Sequence, residues 1–172
     1  GVVLAAQKKL DEASNSFKKS IKINPKYAEA YSNLGAALFK LKRVDDSIKT
    51  LNQAIRINPN FAEPYLRLGS IFYKKFNKTN ESILCYQKAI EIKPDYELAY
   101  EHLGNIFKEI GKIKEAINSY EHIIQINPNS EVAYINLTNL FVDIGRVKDA
   151  RDLFRKLISL KPNNLQYKIN NG

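Results

Sequence analysis

The chain has a single cysteine, Cys85, in 172 residues. One thiol excludes an internal disulfide and fits a reducing compartment, so a cytoplasmic location is expected. No apolar run reaches the roughly 17–25 residues of a membrane-spanning helix. The opening GVVLAA lacks the length and the basic lead of a signal peptide. Histidine is almost as scarce as cysteine. His102 and His122 have no acid, cysteine or third histidine at metal-ligand spacing. No Gly-rich phosphate loop, nucleophile elbow or isolated carboxylate pair is present. The Glu-His dipeptides at 101–102 and 121–122 supply no acid–base pair, because helical neighbours point apart. These absences predict a non-enzymatic chain with no catalytic residue, no metal and no cofactor.

A balance of acids is missing as well: the net charge is +9. The excess is not a continuous stripe, since residues 97–130 are net acidic while the stretches on either side are basic. A solvated lysine surface accounts for it, and the expected partner is neither a specific nucleic acid nor a membrane. The abundance of Ile, Lys and Asn resembles a general compositional bias. The three glycosylation-like triplets at Asn77, Asn80 and Asn136 carry no weight in so asparagine-rich a chain.

What the chain does contain is a sentence written four times. INPKYAEAYSNLGAALF at 23–39 returns as INPNFAEPYLRLGSIFY at 57–73, IKPDYELAYEHLGNIFK at 92–108 and INPNSEVAYINLTNLFV at 126–142. Pro25, Pro59, Pro94, Pro128 and Pro162 fall at intervals of 34, 35, 34 and 34. Between them a small residue precedes a bulky one by four: Ala13 and Phe17, Ser47 and Leu51, Ser82 and Tyr86, Ala116 and Tyr120, Ala150 and Phe154. A fixed period of this length marks a repeat array, and 44% hydrophobic residues suffice for a continuous stacked core.

Each repeat reads as two helices. Tyr31, Leu34, Leu38 and Leu41 recur at steps of three and four, and Ile48, Leu51, Ile55 and Ile57 nearly do so. The polar breaks at Lys42-Arg43, Gly111-Lys112 and Gly145-Arg146 suit left-handed helix caps. Asp11 and Asp45 stand where N-caps belong, and Val44, Ile113 and Val147 are placed to staple the second helices. The extra residue of the third repeat lies in KKFNKTN, 74–80, where a turn is expected to absorb it. Helices are expected over 11–23, 28–41, 45–57, 62–75, 80–92, 97–110, 114–126, 131–144 and 148–160. Tyr31, Leu34, Tyr65, Leu68, Tyr100, Leu103, Tyr134 and Leu137 are expected to be buried.

This pattern resembles the tetratricopeptide repeat: Tyr31, Leu34, Gly35, Leu38, Ser47, Leu51, Ala54 and Pro59, then again from Tyr65 to Pro94, Tyr100 to Pro128 and Tyr134 to Pro162. Tyrosine stands for the usual tryptophan, Thr138 for the glycine, and Ile123 and Leu157 for the second small residue. Thr138 is expected to cost some closeness of helix packing. The resemblance implies an all-α, right-handed superhelical solenoid of antiparallel helix pairs. Its expected divisions are the second half of a truncated repeat at 1–27, then whole repeats at 28–61, 62–96, 97–130 and 131–162. A following helix or tail should occupy 163–172.

In that family the first helices line a concave groove, with side chains two, five, six, nine, twelve and thirteen places into each repeat free of the core. Ser32, Leu66, Glu101 and Ile135 fall at the fifth place. The expected partner-binding residues are Asn33, Ala36 and Lys40, then Arg67, Ser70 and Lys74, then His102 and Asn105, and finally Asn136 and Asn139. Amide and cationic donors in such rows suit the backbone of an extended protein or peptide segment. Two specialised family grooves fit only in part. Asn33 and Arg67 match a clamp for chaperone carboxylates, but Glu63 stands where that clamp has a lysine. Asn33 and Asn136 match the asparagine ladder of O-linked N-acetylglucosamine transferase, but Arg67 and His102 interrupt it.

Gly1 and Leu4 correspond to Gly35 and Leu38, so the chain is expected to begin inside a repeat, as a piece of a longer protein. Residues 2–6 should form a helical stub against the helix at 11–23. Residues 163–172 should be a frayed or short helix with Leu165 and Ile169 inward. The expected function is a scaffold or adaptor that recognises a protein segment. The alternatives are the substrate-selecting arm of a larger enzyme, such as an O-GlcNAc-transferase-like glycosyltransferase, and a self-association module.

Overall fold

The computed structural model describes residues 2–160 of the chain, with side chains from residue 7 onward. The expectations for residues 163–172 and for the packing of the side chains of residues 2–6 lie outside the described residues. Among the described residues every regular element is an α-helix, and the helices separate into two compact units that divide after Pro94. The first holds α1 (Val2–Ile23), α2 (Ala28–Lys40), α3 (Val44–Ile57), α4 (Ala62–Phe76) and α5 (Thr79–Ile92). The second holds α6 (Glu97–Glu109), α7 (Ile113–Ile126), α8 (Glu131–Asp143) and α9 (Val147–Leu160). From α2 onward each helix packs most heavily on its hairpin partner: α2 on α3, α4 on α5, α6 on α7, α8 on α9.

The hairpin turns follow from a few backbone choices. Lys42, Gly111 and Gly145 adopt positive φ just past α2, α6 and α8. The next amide then reaches back five residues: Arg43 N to Leu38 O at 2.9 Å, Lys112 N to Phe107 O at 2.8 Å, Arg146 N to Phe141 O at 2.8 Å. This is the Schellman closure, in which orphan carbonyls at the helix end regain donors. After α4 the left-handed residue is Asn77, and Lys78 N reaches Phe72 O, one residue farther back. The extra residue of this repeat is therefore not absorbed by the turn. α4 is 15 residues long where α2 and α6 have 13, and the turn after it is shorter. A continued helix satisfies its own backbone groups, which a longer turn would have to satisfy otherwise.

Between hairpins, the asparagines before the prolines have a structural task. Asn24 Oδ1 accepts from Lys26 N, Asn58 Oδ1 from Asn60 N and Asn127 Oδ1 from Asn129 N, each at 3.1 Å. The side chain closes an Asx turn around a proline that has no N–H of its own to donate. Compositional bias does not explain these three residues.

Two sequence expectations are corrected at helix starts. Asp45 does not cap α3: Arg43 holds the cap position, without a side-chain hydrogen bond, and pairs with Asp46 at 2.6 Å. Asp11 lies inside α1, which runs unbroken from Val2 to Ile23 instead of leaving a stub at 2–6. The stretch Ala5-Ala6-Gln7-Lys8-Lys9-Leu10 consists of strong helix formers, with no glycine or asparagine to take a left-handed turn. Of the stapling residues, Val44 and Ile113 pack on their cores, whereas Val147 is exposed.

Hairpin packing depends on one close approach. A Cβ added at Gly35 would lie 2.7 Å from Leu51 Cγ, at Gly69 2.8 Å from Tyr86 Cε1, and at Gly104 2.5 Å from Tyr120 Cε1. Each second helix thus lays a large side chain directly on the backbone of the first. Ser47 and Ser82 reinforce the contact by donating to the carbonyls of Gly35 and Gly69, at 2.7 and 2.8 Å. Leu51, Tyr86 and Tyr120 are consequently buried. In the last repeat Thr138 replaces the glycine, its hydroxyl is buried without a hydrogen-bond partner, and Phe154 stays half-buried.

The cores have different fillings. Leu51, Leu68 and Ile71 form one cluster in the first unit, flanked by Phe39, Val44, Ile48, Phe72 and Cys85. In the second, Tyr120, Ile123, Leu137, Leu140 and Phe141 pack around Ala116, Ala133 and Ala150. The four expected leucines at the repeat's second landmark, Leu34, Leu68, Leu103 and Leu137, are all buried. Of the four tyrosines at the first landmark Tyr134 alone is buried; Tyr31, Tyr65 and Tyr100 are half-buried. A tyrosine buries its ring while keeping a route for its hydroxyl. Tyr65 donates to Pro59 O at 3.2 Å, and the Tyr100 ring meets His122 edge-on at 4.8 Å.

Gly104→Ala is expected to cost about 1–3 kcal/mol by overpacking against Tyr120, read as a lower urea midpoint at an unchanged m-value. An unchanged midpoint would show that Tyr120 has room to retreat.

Candidate functional site

The first helices turn Gly35, Gly69, Gly104 and, in α8, Thr138 toward the second helices, which leaves another face for polar side chains. In the N-terminal unit that face belongs to α2 and α4, which touch. Asn33 and Lys40 on α2 are exposed and Ala36 is half-buried. On α4, Arg67 and Ser70 are half-buried and Lys74 is exposed. Asn33 and Arg67 occupy the same turn of neighbouring helices. Arg67 is already engaged, its Nη2 lying 2.7 Å from Glu63 Oε1 one turn earlier. A carboxylate arriving from outside would therefore meet a guanidinium whose charge is partly answered, beside a like charge.

Ser32 and Leu66 correct the expected face, since both are buried. The fifth place of these repeats therefore belongs to the packing. In the C-terminal unit the fifth place is half-buried instead, at Glu101 and Ile135. Burial raises the Glu101 carboxyl above the usual carboxylate range.

In that unit the face belongs to α6 and α8. His102, Asn105 and Asn136 are half-buried and Asn139 is exposed. Lys108 Nζ on α6 meets Asp143 Oδ2 on α8 at 2.6 Å, tying the two first helices together. The apolar side chains Leu98 and Val132, which open the two helices, are 43% and 47% exposed. This face is more apolar than that of α2 and α4, whose corresponding places hold Glu29 and Glu63.

Two residues expected as free donors are tied to the core. The Ser70 and Tyr86 hydroxyls share a hydrogen bond at 3.0 Å, and Tyr120 donates to Asn105 Oδ1 at 2.7 Å. The tyrosine that presses on the glycine carries its hydroxyl through to the first-helix face, where the residue one place after the glycine receives it. The sequence holds the signal as a pairing. Ala36 accompanies Leu51, which has no hydroxyl, whereas Ser70 and Asn105 accompany tyrosines. Asn105 keeps its amide N–H groups as donors once its oxygen is occupied.

Burial pushes the Tyr120 hydroxyl up to about 12, with the charges of Glu101 and Glu109 adding to it. Tyr86 is raised too by burial, against the lowering effect of its hydrogen bonds with Ser70 and Ser82. Cys85 is raised to about 11 by burial and then by Glu81, so its thiol stays protonated and acts as packing. Among the described residues no three His, Cys, Asp or Glu gather as a metal site, and no helix is long and apolar enough to cross a membrane.

A folded-state pKa above that of the unfolded chain means that the native protein holds its proton longer, so stability falls as pH rises through that interval. Chemical denaturation should therefore show stability declining between pH about 10, the ordinary tyrosine value, and about 12. Tyr120→Phe should make the decline shallower. An identical slope in the variant would remove Tyr120 as its source.

Family models of the tetratricopeptide repeat match residues 1–42 and 77–111, 28–61, and 109–169. Solved structures of similar fold include MamA, at 26% identity and a TM-score of 0.77, with 95% of each chain covered. Pseudomonas aeruginosa PilF aligns at 16% identity and a TM-score of 0.79, over 97% of this chain and 76% of that one. YrrB, described as a TPR protein with an unusual peptide-binding site, aligns at 17% and 0.69, over 98% and 86%. No curated protein sequence matches. The repeated sentence, the hairpins in which a large side chain of the second helix packs on the first, and the three family matches agree: the chain belongs to the tetratricopeptide repeat family.

Proposed function

We propose that this chain is a non-enzymatic scaffold or adaptor module that holds an extended segment of a partner protein on its first-helix faces. The observation that carries this reading is the set of polar side chains with no role in the core. Asn33, Lys40, Lys74 and Asn139 are exposed on first helices whose opposite faces are fully used by packing. Amides and ammonium groups at intervals across neighbouring helices match the carbonyls and carboxylates of a peptide chain. YrrB, which shares the fold, is described as having a peptide-binding site, and this supports the same use here. A cytoplasmic setting accords with the lone, protonated Cys85.

One hydrogen bond nets only about 0.5–1.5 kcal/mol, so donors on adjacent helices must act together. Asn33→Ala with Arg67→Ala should weaken a cognate partner by roughly 1–3 kcal/mol, about tenfold or more in Kd. Helicity and melting temperature should barely change. Lys19→Ala and Lys88→Ala, on second helices, serve as controls. Calorimetric titration in which the controls abolish binding and the α2–α4 pair does not would move the site to the other face.

A further inference from the structure

Building on the reading that the first-helix face grips a partner segment, we infer that the N-terminal unit selects an acidic one, through lysines at the C-terminal ends of α2 and α4. Lys40 and Lys74 stand at the same place in successive repeats, and Lys42 and Lys75 flank them; all four are exposed. Most of the acids nearby are taken by other cations, Asp45 at the start of α3 being the exception. Asp46 binds Arg43 at 2.6 Å, Glu63 binds Arg67 at 2.7 Å and Glu81 binds Lys78 at 3.7 Å. Among the described residues the four lysines have no ion pair.

Helix ends attract lysine for a general reason, since the terminal carbonyls carry about half a negative charge. That reason does not account for this cluster. The places of Lys40 and Lys74 are filled in the C-terminal unit by Glu109 and Asp143, at ends of the same kind, and Asp143 binds Lys108 at 2.6 Å. The hairpin architecture therefore tolerates either sign. The α2–α4 edge keeps four unpaired lysines against a single unpaired acid, Asp45, an excess of positive charge.

The geometry suits a peptide. α2 and α4 touch, and packed helices lie about 8–10 Å apart. An extended chain advances about 3.3 Å per residue, so carboxylates two or three residues apart reach lysines on both helices. Phe39 and Tyr73, the residues before Lys40 and Lys74, are half-buried and supply apolar surface beside the charges. A nucleic acid would want a longer cationic track than two helix ends provide.

The probe is a fluorescein-labelled peptide of Glu-Ser-Gly repeats, with the Gln-Ser-Gly peptide and a labelled single-stranded oligothymidylate beside it, read by anisotropy with the full chain. The Glu peptide should bind and weaken steeply with added salt, while the Gln peptide should bind about tenfold more weakly or not at all. Lys40→Glu with Lys74→Glu should abolish binding, whereas Lys19→Glu with Lys49→Glu, the same charge change on α1 and α3, should leave most of it. Circular dichroism checks that both pairs stay helical. Equal losses from the two pairs would reduce the attraction to net charge and overturn the inference. So would equal binding of the Gln peptide, or tighter binding of the oligothymidylate. If the Glu peptide fails while the Asn33→Ala, Arg67→Ala pair still weakens a natural partner, the acidic preference is wrong and the groove reading stands.

Discussion

The structure depends on a side chain pressed against a bare backbone. Leu51, Tyr86 and Tyr120 each reach into the space that a Cβ at Gly35, Gly69 or Gly104 would fill. This brings the two helices of a hairpin close enough for Ser47 and Ser82 to reach the carbonyls of Gly35 and Gly69. Those bonds give the buried hydroxyls partners, without which burial would be costly. Where the glycine is lost, at Thr138, the hydroxyl goes unpartnered and Phe154 remains half-buried. The same contact orients the first helix, and so decides which of its side chains are left outside the hairpin core.

Most of the fold could be read in the sequence because the determinants were local and repeated. Proline, glycine and the apolar spacing located both ends of the second through ninth helices to within about one residue. Local signals misled where two competed for one short stretch. In 74–80 the extra residue went to α4 instead of the turn, and before Asp11 good helix formers carried α1 through an expected break. The asparagines before proline were visible, but their Asx turns become evident only when the backbone amide two residues on is placed.

The candidate face was legible in outline and not in detail. Spacing alone identifies which residues lie away from the core, but not what lies beside them in space. Ser32 and Leu66, placed on the open face by spacing, are buried in the packing. Lys108 and Asp143 meet across 35 residues of sequence at 2.6 Å. Arg67 looked like a free cation until Glu63, one helical turn away, was seen to hold it. Long flexible side chains choose among several partners within reach, and a one-dimensional pattern does not rank those choices.

The hydrogen bond from Tyr120 to Asn105, with that between Tyr86 and Ser70, also bears on how such a protein can diverge. Asn33, Lys40 and Lys74 can drift singly, since each touches solvent and costs the core nothing when replaced. Ser70 and Asn105 cannot. A change at Asn105 removes the acceptor of the buried Tyr120 hydroxyl, and one at Ser70 removes one of the two serines that bond Tyr86, so such a change is best matched by altering the tyrosine in step, as the Ala36 and Leu51 pair illustrates. New binding preferences should therefore arise first at the freely drifting places. The yoked ones would shift through paired substitutions, so that part of the first-helix face changes more slowly than the rest.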